Sequence, residues 1–171
     1  PADAAGAHPA RVQAGAGQDE ESFNLALFTA RRCTEQQLRD VADFYVVTLC
    51  AHAIGYKGMV LPDKLAQFYS DLQRSDLASS AVVFHQRFST NTLPRWPLAH
   101  PFRMLAHNGE INTIEGNRRW AQARSKVWKT PRFDLSRFDP IVSMHGSDSQ
   151  SLDNMLELLV SGGMELIQAL R

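Results

Sequence analysis

The sequence predicts a mixed α/β or α+β layered fold, because segments with strand composition alternate with segments of helical periodicity. Residues 43–50 and 81–88 are rich in aromatic and β-branched side chains, which favour strands. In residues 62–72, and again after Asp148, apolar residues recur every three or four positions, as on the buried face of a helix. A chain of 171 residues is long enough to form one domain with a sizeable core.

The N-terminal part divides into a lead-in and two short predicted helices. Residues 1–22 are dominated by alanine, glycine and proline, so we expect a flexible segment with little to bury. Apolar spacing predicts a helix over 23–32. Thr34 and Gln37 form a capping-box pattern, which predicts a second, brief helix.

The central part is predicted to alternate strands with one helix. The strand 43–50 is expected to pair with a weaker one over 53–59. A helix follows with Pro62 at its first position, where a missing N–H costs nothing. Its predicted buried stripe consists of Leu65, Phe68, Tyr69 and Leu72. Residues 81–88 form a nearly continuous apolar run, which predicts a strand covered on both faces.

The last third is predicted to contain a short strand and two helices. Three prolines exclude a regular element before Phe102, and the strand that follows ends in a tight turn at Asn108-Gly109. Asn112 and Glu115 suggest a capping box for a helix to about residue 128, with Ile114, Ala121 and Trp128 inward. The last helix is expected to begin near Asp148 and to end at Gly162 and Gly163, burying Leu152, Met155, Leu156, Leu159 and Val160.

Composition excludes several functional classes. The 18 basic residues balance the 18 acidic ones, so no nucleic acid or membrane surface is expected as a partner. No apolar run approaches the roughly 20 residues that span a bilayer. Cys33 and Cys50 match neither a disulfide framework nor a zinc site, and the six histidines are dispersed, so no bound metal is expected. These features favour a reducing compartment, the cytoplasm or the plastid stroma.

Directional polar side chains are concentrated at the predicted strand ends. Arg87 and the following residues 89–92 close one strand, and residues 107–109 close the next. Each also has an ordinary structural interpretation. Arg87 could form a surface ion pair, Asn-Gly is a common turn dipeptide, and Asp148 could simply cap a helix.

Together these residues resemble one family. HQRFST at 85–90, HNG at 107–109 and SDS at 147–149 are similar to the glutamine-binding motifs of class II glutamine amidotransferases. The longer stretches 87–120 and 147–163 resemble the large subunits of the glutamate synthase family more narrowly. The resemblance implies an α+β fold, the αββα sandwich of N-terminal-nucleophile hydrolases, with residues 23–171 forming the C-terminal part of the amidotransferase domain. His100 stands where glutamine is expected.

The resemblance also implies roles for the two charged site residues. Arg87 matches the arginine that grips the α-carboxylate of glutamine, for which a planar guanidinium is suited. Asp148 matches the carboxylate that receives the α-ammonium group.

The neutral site residues receive their roles in the same way. Asn108, through its side-chain amide, and Gly109, through a backbone N–H at positive φ, match the oxyanion hole. Thr90 and His107 are secondary candidates for lining the pocket.

Members of this family attack glutamine with the thiol of an N-terminal cysteine, whose own α-amine accepts the proton. Position 1 here is proline, and neither Cys33 nor Cys50 carries a free α-amine. We therefore expect the nucleophile to lie upstream, and this chain alone not to hydrolyse glutamine.

The family resemblance implies a parent enzyme that passes ammonia from L-glutamine to 2-oxoglutarate. FMN and an iron–sulfur cluster are implied for its other domains, and no cofactor for this chain. The remaining synthase domains, and in some members a small reductase subunit, are the implied protein partners. Two alternatives stay open at this point: the amidotransferase part of another class II enzyme, and a non-catalytic glutamine-binding module. The electron donor, NADPH, NADH or ferredoxin, would be chosen elsewhere.

Overall fold

The computed structural model of the chain describes residues 13–42, 44–87 and 93–171. Its α-helices are α1 (Glu20–Gln37), α2 (Leu65–Phe68), α3 (Glu115–Ser125), α4 (Asp148–Ser161) and α5 (Leu166–Ala169). Turns of 3₁₀ helix occur at Pro62–Lys64, Ser70–Gln73, Trp96–Leu98 and Leu135–Phe138. Within the described ranges, no helix has the length and apolar character needed to cross a bilayer.

The predicted strands are wrong wherever the structure describes them. Residues 44–50, 53–59, 81–87 and 102–107 form no strand, so the sandwich is not seen in the described part of the chain. The segment expected to be buried on both faces is open to solvent, with Val82 76% and Phe84 78% exposed. Strand composition reports a preference for a pleated surface, but a strand is stable only when neighbours pair with its backbone.

Helix α1 replaces the two short helices predicted for this region. It begins at Glu20, where the Asp19 carboxylate accepts the Ser22 N–H at 2.9 Å. Thr34 does not cap a new helix, because its hydroxyl donates to the carbonyl of Ala30 at 2.9 Å within α1. Residues 20–22 of the predicted lead-in thus belong to α1. Residues 1–12 lie outside the described residues, so the flexibility of the rest of the lead-in stays a prediction.

The two middle helices follow their predictions in part. Pro62 begins a 3₁₀ turn that leads into α2, but the backbone becomes extended at Tyr69 and interrupts the predicted stripe. Helix α3 forms where a helix was predicted but begins two residues later, at Glu115, and ends at Ser125; Ile114 occupies its N-cap position and provides no side-chain cap. The capping box at Asn112 is therefore wrong.

Helix α4 starts and stops where the sequence indicates. The Ser147 hydroxyl caps it by accepting the Gln150 N–H at 3.0 Å. At the other end Gly162 is the C-cap, and Gly163 takes a φ of +100°, a left-handed conformation that suits glycine. Of the residues predicted to point inward, Leu156 is buried, and the others are half-buried.

The core is a cluster of aromatic and aliphatic side chains that joins α1, α3, α4 and the segment 133–142. The rings of Phe28, Phe133 and Phe138 pack in tilted and edge-to-face pairs with centroid distances of 5.3–5.5 Å. Such aromatic pairs add about 0.5–1.5 kcal/mol each to the stabilisation from burial. The predicted inward position of Ala121 is confirmed, since it belongs to this cluster.

A buried network of charges lies beside this core. The Arg31 guanidinium, inaccessible to solvent, pairs with Glu35 at 2.7 Å and with Glu157 of α4 at 2.5 Å. Arg103 pairs with Glu35 at 2.7 Å and also donates to the carbonyl of Val46. The network therefore ties α1 to α4 and to two irregular segments of the chain.

We predict that Arg31→Leu will lower the free energy of unfolding by about 3 kcal/mol, because it removes the buried cation that Glu35 and Glu157 share and leaves the half-buried Glu157 without this partner. Arg119 is the matched control, since its pair with Glu115 lies on the surface of α3 and its side chain is 74% exposed. Arg119→Leu should change stability by less than about 1 kcal/mol. Urea unfolding of both variants measures the difference, and equal effects would contradict the prediction.

Candidate functional site

The HNG and SDS motifs meet at the first turns of α4. His107 Nε2 lies 2.8 Å from the Ser149 hydroxyl oxygen. One turn further along the helix, the Asp153 carboxylate accepts the backbone N–H groups of Met104 and Leu105 at 2.6 and 3.1 Å. The segment that carries HNG is thus fastened to the helix that begins with SDS.

A chain of hydrogen bonds connects the two motifs. The Gly109 N–H donates to His107 Nδ1 at 3.0 Å, which places the proton of the neutral imidazole on Nε2. Nε2 then donates to the Ser149 hydroxyl, and that hydroxyl donates to Asp148 Oδ1 at 3.0 Å. Asp148 Oδ1 also accepts the Ser149 N–H at 2.5 Å. The chain therefore runs from a predicted oxyanion donor to the predicted ammonium ligand.

The structure overturns the interpretation of Asp148 as the helix cap. Ser147 is the N-cap residue, and Asp148 is the first residue of α4 proper. A carboxylate in the first turn interacts favourably with the positive end of the helix dipole, so the position is well suited to a negative charge. The half-buried Asp148 side chain is thus held by Ser149 and is not used for capping.

The turn at Asn108 and Gly109 differs from its prediction. Both residues are exposed, and the φ of Gly109 is not positive. A Cβ built on Gly109 would lie 3.4 Å from His107 Nδ1, an ordinary van der Waals contact. Neither the backbone conformation nor the space around it requires glycine here, and the predicted left-handed turn is wrong.

The other two predicted residues are not part of this cluster as described. Arg87 lies at the end of the irregular stretch 81–87, and its side chain is exposed. Thr90 falls within 88–92, outside the described residues. The structure therefore brings the HNG motif, with His107, Asn108 and Gly109, next to Asp148. The roles of all six residues, Arg87 and Thr90 included, stay predictions.

Sequence reasoning missed three residues that build the site. Ser149 bridges the two motifs, and Asp153 holds the segment before HNG. Arg118 of α3 donates to the Ser151 hydroxyl at 3.0 Å and to the carbonyls of Gly146 and Ser147 at 2.6 and 3.2 Å. All three lie inside the stretches that resemble the family, but their partners are distant in sequence or depend on side-chain geometry.

A histidine packs beside the site. The His100 ring lies 4.7 Å from that of Phe102, 5.0 Å from that of His107 and 6.5 Å from that of His85. Burial lowers the pKa of His100 below its ordinary value, and the neighbouring His107 and His85 lower it further. The neutral form of His100 is therefore favoured. The glutamine expected at this position is also an uncharged side chain.

A buried lysine lies next to this group. The Lys57 ammonium sits 4.6 Å from the ring centre of Phe102 and 5.0 Å from that of Tyr45, and it donates to the carbonyl of Pro97 at 3.5 Å. Burial lowers the pKa of Lys57 to about 8, and the Arg103 guanidinium acts in the same direction. The lysine fixes the proline-rich segment against the aromatic rings.

The iron–sulfur cluster implied for the parent enzyme does not fit the residues present here. An iron–sulfur cluster takes four thiolates, whereas this chain has Cys33 within α1 and Cys50 on the surface. Among the described residues there is no group of three or more histidine, cysteine or acidic side chains able to hold a metal ion.

Two cavities, of about 620 and 400 Å³, lie elsewhere in the molecule. They share Trp128 and Phe133, at the far end of α3 from the site. Neither is lined by a residue of the HNG or SDS motif, so the convergence of the two motifs, and not cavity size, identifies the candidate site.

Comparison with known families agrees with the site. The family model described as "Glutamine amidotransferases class-II" matches residues 6–171, nearly the whole chain. The chain belongs to the class-II glutamine amidotransferases.

Several curated relatives of this amidotransferase chain are glutamate synthases. It is 44% identical over 151 residues to the glutamate synthase [NADPH] large chain of Azospirillum brasilense, which covers 86% of this chain and 10% of that protein. It is 43% identical over 155 residues to the ferredoxin-dependent glutamate synthase of Cyanidium caldarium. This match covers 87% of this chain and 10% of that protein. With glutamate synthase [NADH] of Saccharomyces cerevisiae the identity is 40% over 154 residues. This match covers 88% of this chain and 7% of that protein. The chain thus spans about a tenth or less of these relatives.

We predict that His100→Gln will make the stability of this amidotransferase domain less dependent on pH. The unfolded chain protonates His100 near its ordinary pKa of 6.5, whereas the folded chain resists protonation until a lower pH. The unfolded state therefore binds more protons below pH 6.5, and folded-state stability is lost as the pH falls through this range. Glutamine at this position removes the titrating group.

Urea unfolding at pH 7.5 and pH 5 measures this effect. The drop in the free energy of unfolding between the two pH values should be smaller for His100→Gln than for the parent sequence. His145→Gln, at an exposed position, is the control and should leave the drop unchanged. An equal drop in all three proteins would show that His100 is not protected from protonation.

Proposed function

We propose that this chain forms the glutamine-binding part of a glutamate synthase, in the domain that releases ammonia from L-glutamine. The observation that carries the proposal is the hydrogen-bonded contact between the HNG and SDS motifs at the start of α4. It brings a prospective oxyanion site and a carboxylate together, as recognition of an α-amino acid with a reactive side-chain amide requires. The names of the relatives favour glutamate synthase over other class-II amidotransferases and over a non-catalytic module.

Two charged residues would hold the amino-acid end of glutamine. Asp148, in the first turn of α4, supplies a carboxylate for the α-ammonium group, and its orientation is fixed by Ser149. Arg87 supplies a guanidinium for the α-carboxylate, where a bidentate pair gives direction as well as charge. Its exposed position leaves the guanidinium accessible to a substrate.

Two neutral groups would stabilise the oxyanion that forms at the side-chain amide. The Asn108 amide is exposed and available to donate. The Gly109 N–H donates to His107 Nδ1, so glutamine must replace the imidazole as its acceptor. His107 and Thr90 would line the same pocket. Donors aimed at the developing negative charge lower the barrier to attack on the amide.

The rest of the reaction would depend on other parts of the parent enzyme. The attacking cysteine would be neither Cys33 nor Cys50, because neither carries the free α-amine that serves as base in this family. The complete domain would form the αββα sandwich and pass ammonia to domains holding FMN and an iron–sulfur cluster, for transfer to 2-oxoglutarate. A small reductase subunit is a further partner in this proposal, and the cytoplasm or plastid stroma its compartment.

Asp148→Asn in the full-length protein tests the proposed ammonium ligand. The amide keeps an oxygen for the Ser149 bonds but loses the negative charge, which converts a charge-assisted hydrogen bond to the ammonium into a neutral one. The loss of about 1–2 kcal/mol should raise KM for glutamine several-fold. Ammonia-dependent glutamate synthesis should be unchanged. Steady-state assays with each nitrogen source measure both effects.

Ser147→Ala is the matched control for this change. It removes the true cap of α4 and should lower stability by about 1 kcal/mol, while leaving the charge of Asp148 in place. KM for glutamine should then stay near its original value. If Asp148→Asn left KM unchanged, Asp148 would have no part in binding the ammonium group.

Asn108→Ala tests the oxyanion hole. Loss of one donor should lower kcat for glutamine-dependent synthesis by about 10²-fold, because the amide acts mainly on the charge of the transition state. Asn117→Ala, at an exposed position on α3, is the control and should retain full kcat. A normal kcat in Asn108→Ala would reduce HNG to a structural turn.

A further inference from the structure

Asp153 is a buried carboxylate that accepts hydrogen bonds from the segment that leads to HNG. Its exposed fraction is 0%, and it lies on α4 five residues after Asp148. One oxygen accepts the N–H groups of both Met104 and Leu105. Its other oxygen is buried and makes no hydrogen bond within the described part of the chain.

The two N–H groups belong to a tight local structure. The Phe102 N–H donates to the Leu105 carbonyl at 2.9 Å, which closes a turn over 102–105. Asp153 therefore holds this turn as a unit. Asn108 and Gly109 follow within four residues, so the position of this turn limits where their backbone can lie.

A second residue that anchors this segment, Ser149, lies on the same face of α4. Ser149 and Asp153 are four residues apart, so their side chains lie one above the other about 6 Å apart along the axis. Ser149 contacts His107, and Asp153 contacts Met104 and Leu105. The segment thus runs along α4 toward its N-terminus and ends beside Asp148.

We infer that Asp153 is a positioning residue for glutamine hydrolysis, which sets the location of the Asn108 and Gly109 donors relative to Asp148. This inference rests on the proposed function. Because α4 carries both Asp148 and Asp153, one rigid element fixes the distance between the ammonium ligand and the oxyanion donors. Asp153 itself is too deeply buried to touch the substrate.

The positioning role requires a side chain of the length of Asp153 with an oxygen that accepts the two N–H groups. It does not require the negative charge of the carboxylate. The carbonyl oxygen of asparagine has two lone pairs and can accept both N–H bonds in the same place. Glutamate keeps the charge near Arg103 but places its oxygens one methylene further out. The inference therefore ranks asparagine above glutamate, whereas a role in charge balance alone ranks them in the opposite order.

The test measures glutamine- and ammonia-dependent glutamate synthesis in the full-length protein. Asp153→Ala should lower glutamine-dependent kcat by roughly 10- to 100-fold, since a misplacement of about 1 Å can cost on the order of 10²-fold. KM for glutamine and the ammonia-dependent rate should change little. Asp153→Asn should restore most of the kcat, and Asp153→Glu should not.

Asn154→Ala is the control for loss of a buried hydrogen bond. Asn154 is the next residue of α4, is 7% exposed, and accepts the Ser143 N–H at 3.0 Å on another segment. Its removal should lower the melting temperature without the loss in kcat. Equal loss of both activities in Asp153→Ala, or equal kcat in the alanine variants at 153 and 154, would overturn the inference.

If Asp153→Ala fails to fold, the comparison of Asp153→Asn with Asp153→Glu decides, and higher kcat in the glutamate variant would overturn the inference. Failure of this inference is distinguishable from failure of the proposed site. If Asp148→Asn and Asn108→Ala impair glutamine use but Asp153→Ala does not, only the positioning role is wrong. If none of the three impairs it, the site itself is wrong.

Discussion

The arrangement of this chain depends on the buried charges around Arg31. Its guanidinium joins Glu35 of α1 to Glu157 of α4, and Glu35 in turn holds Arg103. A buried ion network adds little net stability compared with apolar packing, but breaking it leaves an uncompensated charge in the interior. The network therefore links the two helices and the segment at Arg103 through shared charges.

The described residues form no strand, so side chains from the helices hold the irregular segments in place. The first half of α4 buries polar groups that a helix usually exposes, among them Ser151, Asp153 and Asn154. Asp153 binds the turn at 102–105, and Ser151 and Asn154 bind the carbonyl and N–H of Ser143. Asp148 is the first residue of the same helix. The helix thus organises the candidate site with hydrogen bonds and leaves its apolar residues for the core.

Some features that depend on neighbouring residues were predictable from the sequence, although the capping boxes at Thr34 and Asn112 were not. Features that depend on distant partners were not predictable. Pro62 and the Gly162–Gly163 pair marked helix ends correctly, because caps act within one turn. Strand composition at 81–87 could not indicate whether another strand pairs with it. For the site, the family resemblance indicated which motifs belong together, and the structure brings HNG and SDS into contact. The contacts of Ser149 and Arg118 required three-dimensional geometry, since no local pattern encodes them.

The hydrogen-bond chain from Gly109 to Asp148 bears on how glutamine would bind under the proposed function. Its two ends are the Gly109 N–H and the Asp148 carboxylate, which are also two of the proposed substrate contacts. Glutamine would therefore replace an internal bond at the Gly109 end and add one at the Asp148 end, whose carboxylate has further lone pairs. Each change contributes only a net 0.5–1.5 kcal/mol or so, rising to about 3 kcal/mol where a charge is involved. The Asp148–ammonium pair gains this charge assistance in the ground state, whereas the Gly109–oxyanion pair gains it only as the amide is attacked. The same chain would thus give one end a role in affinity and the other a role in catalysis.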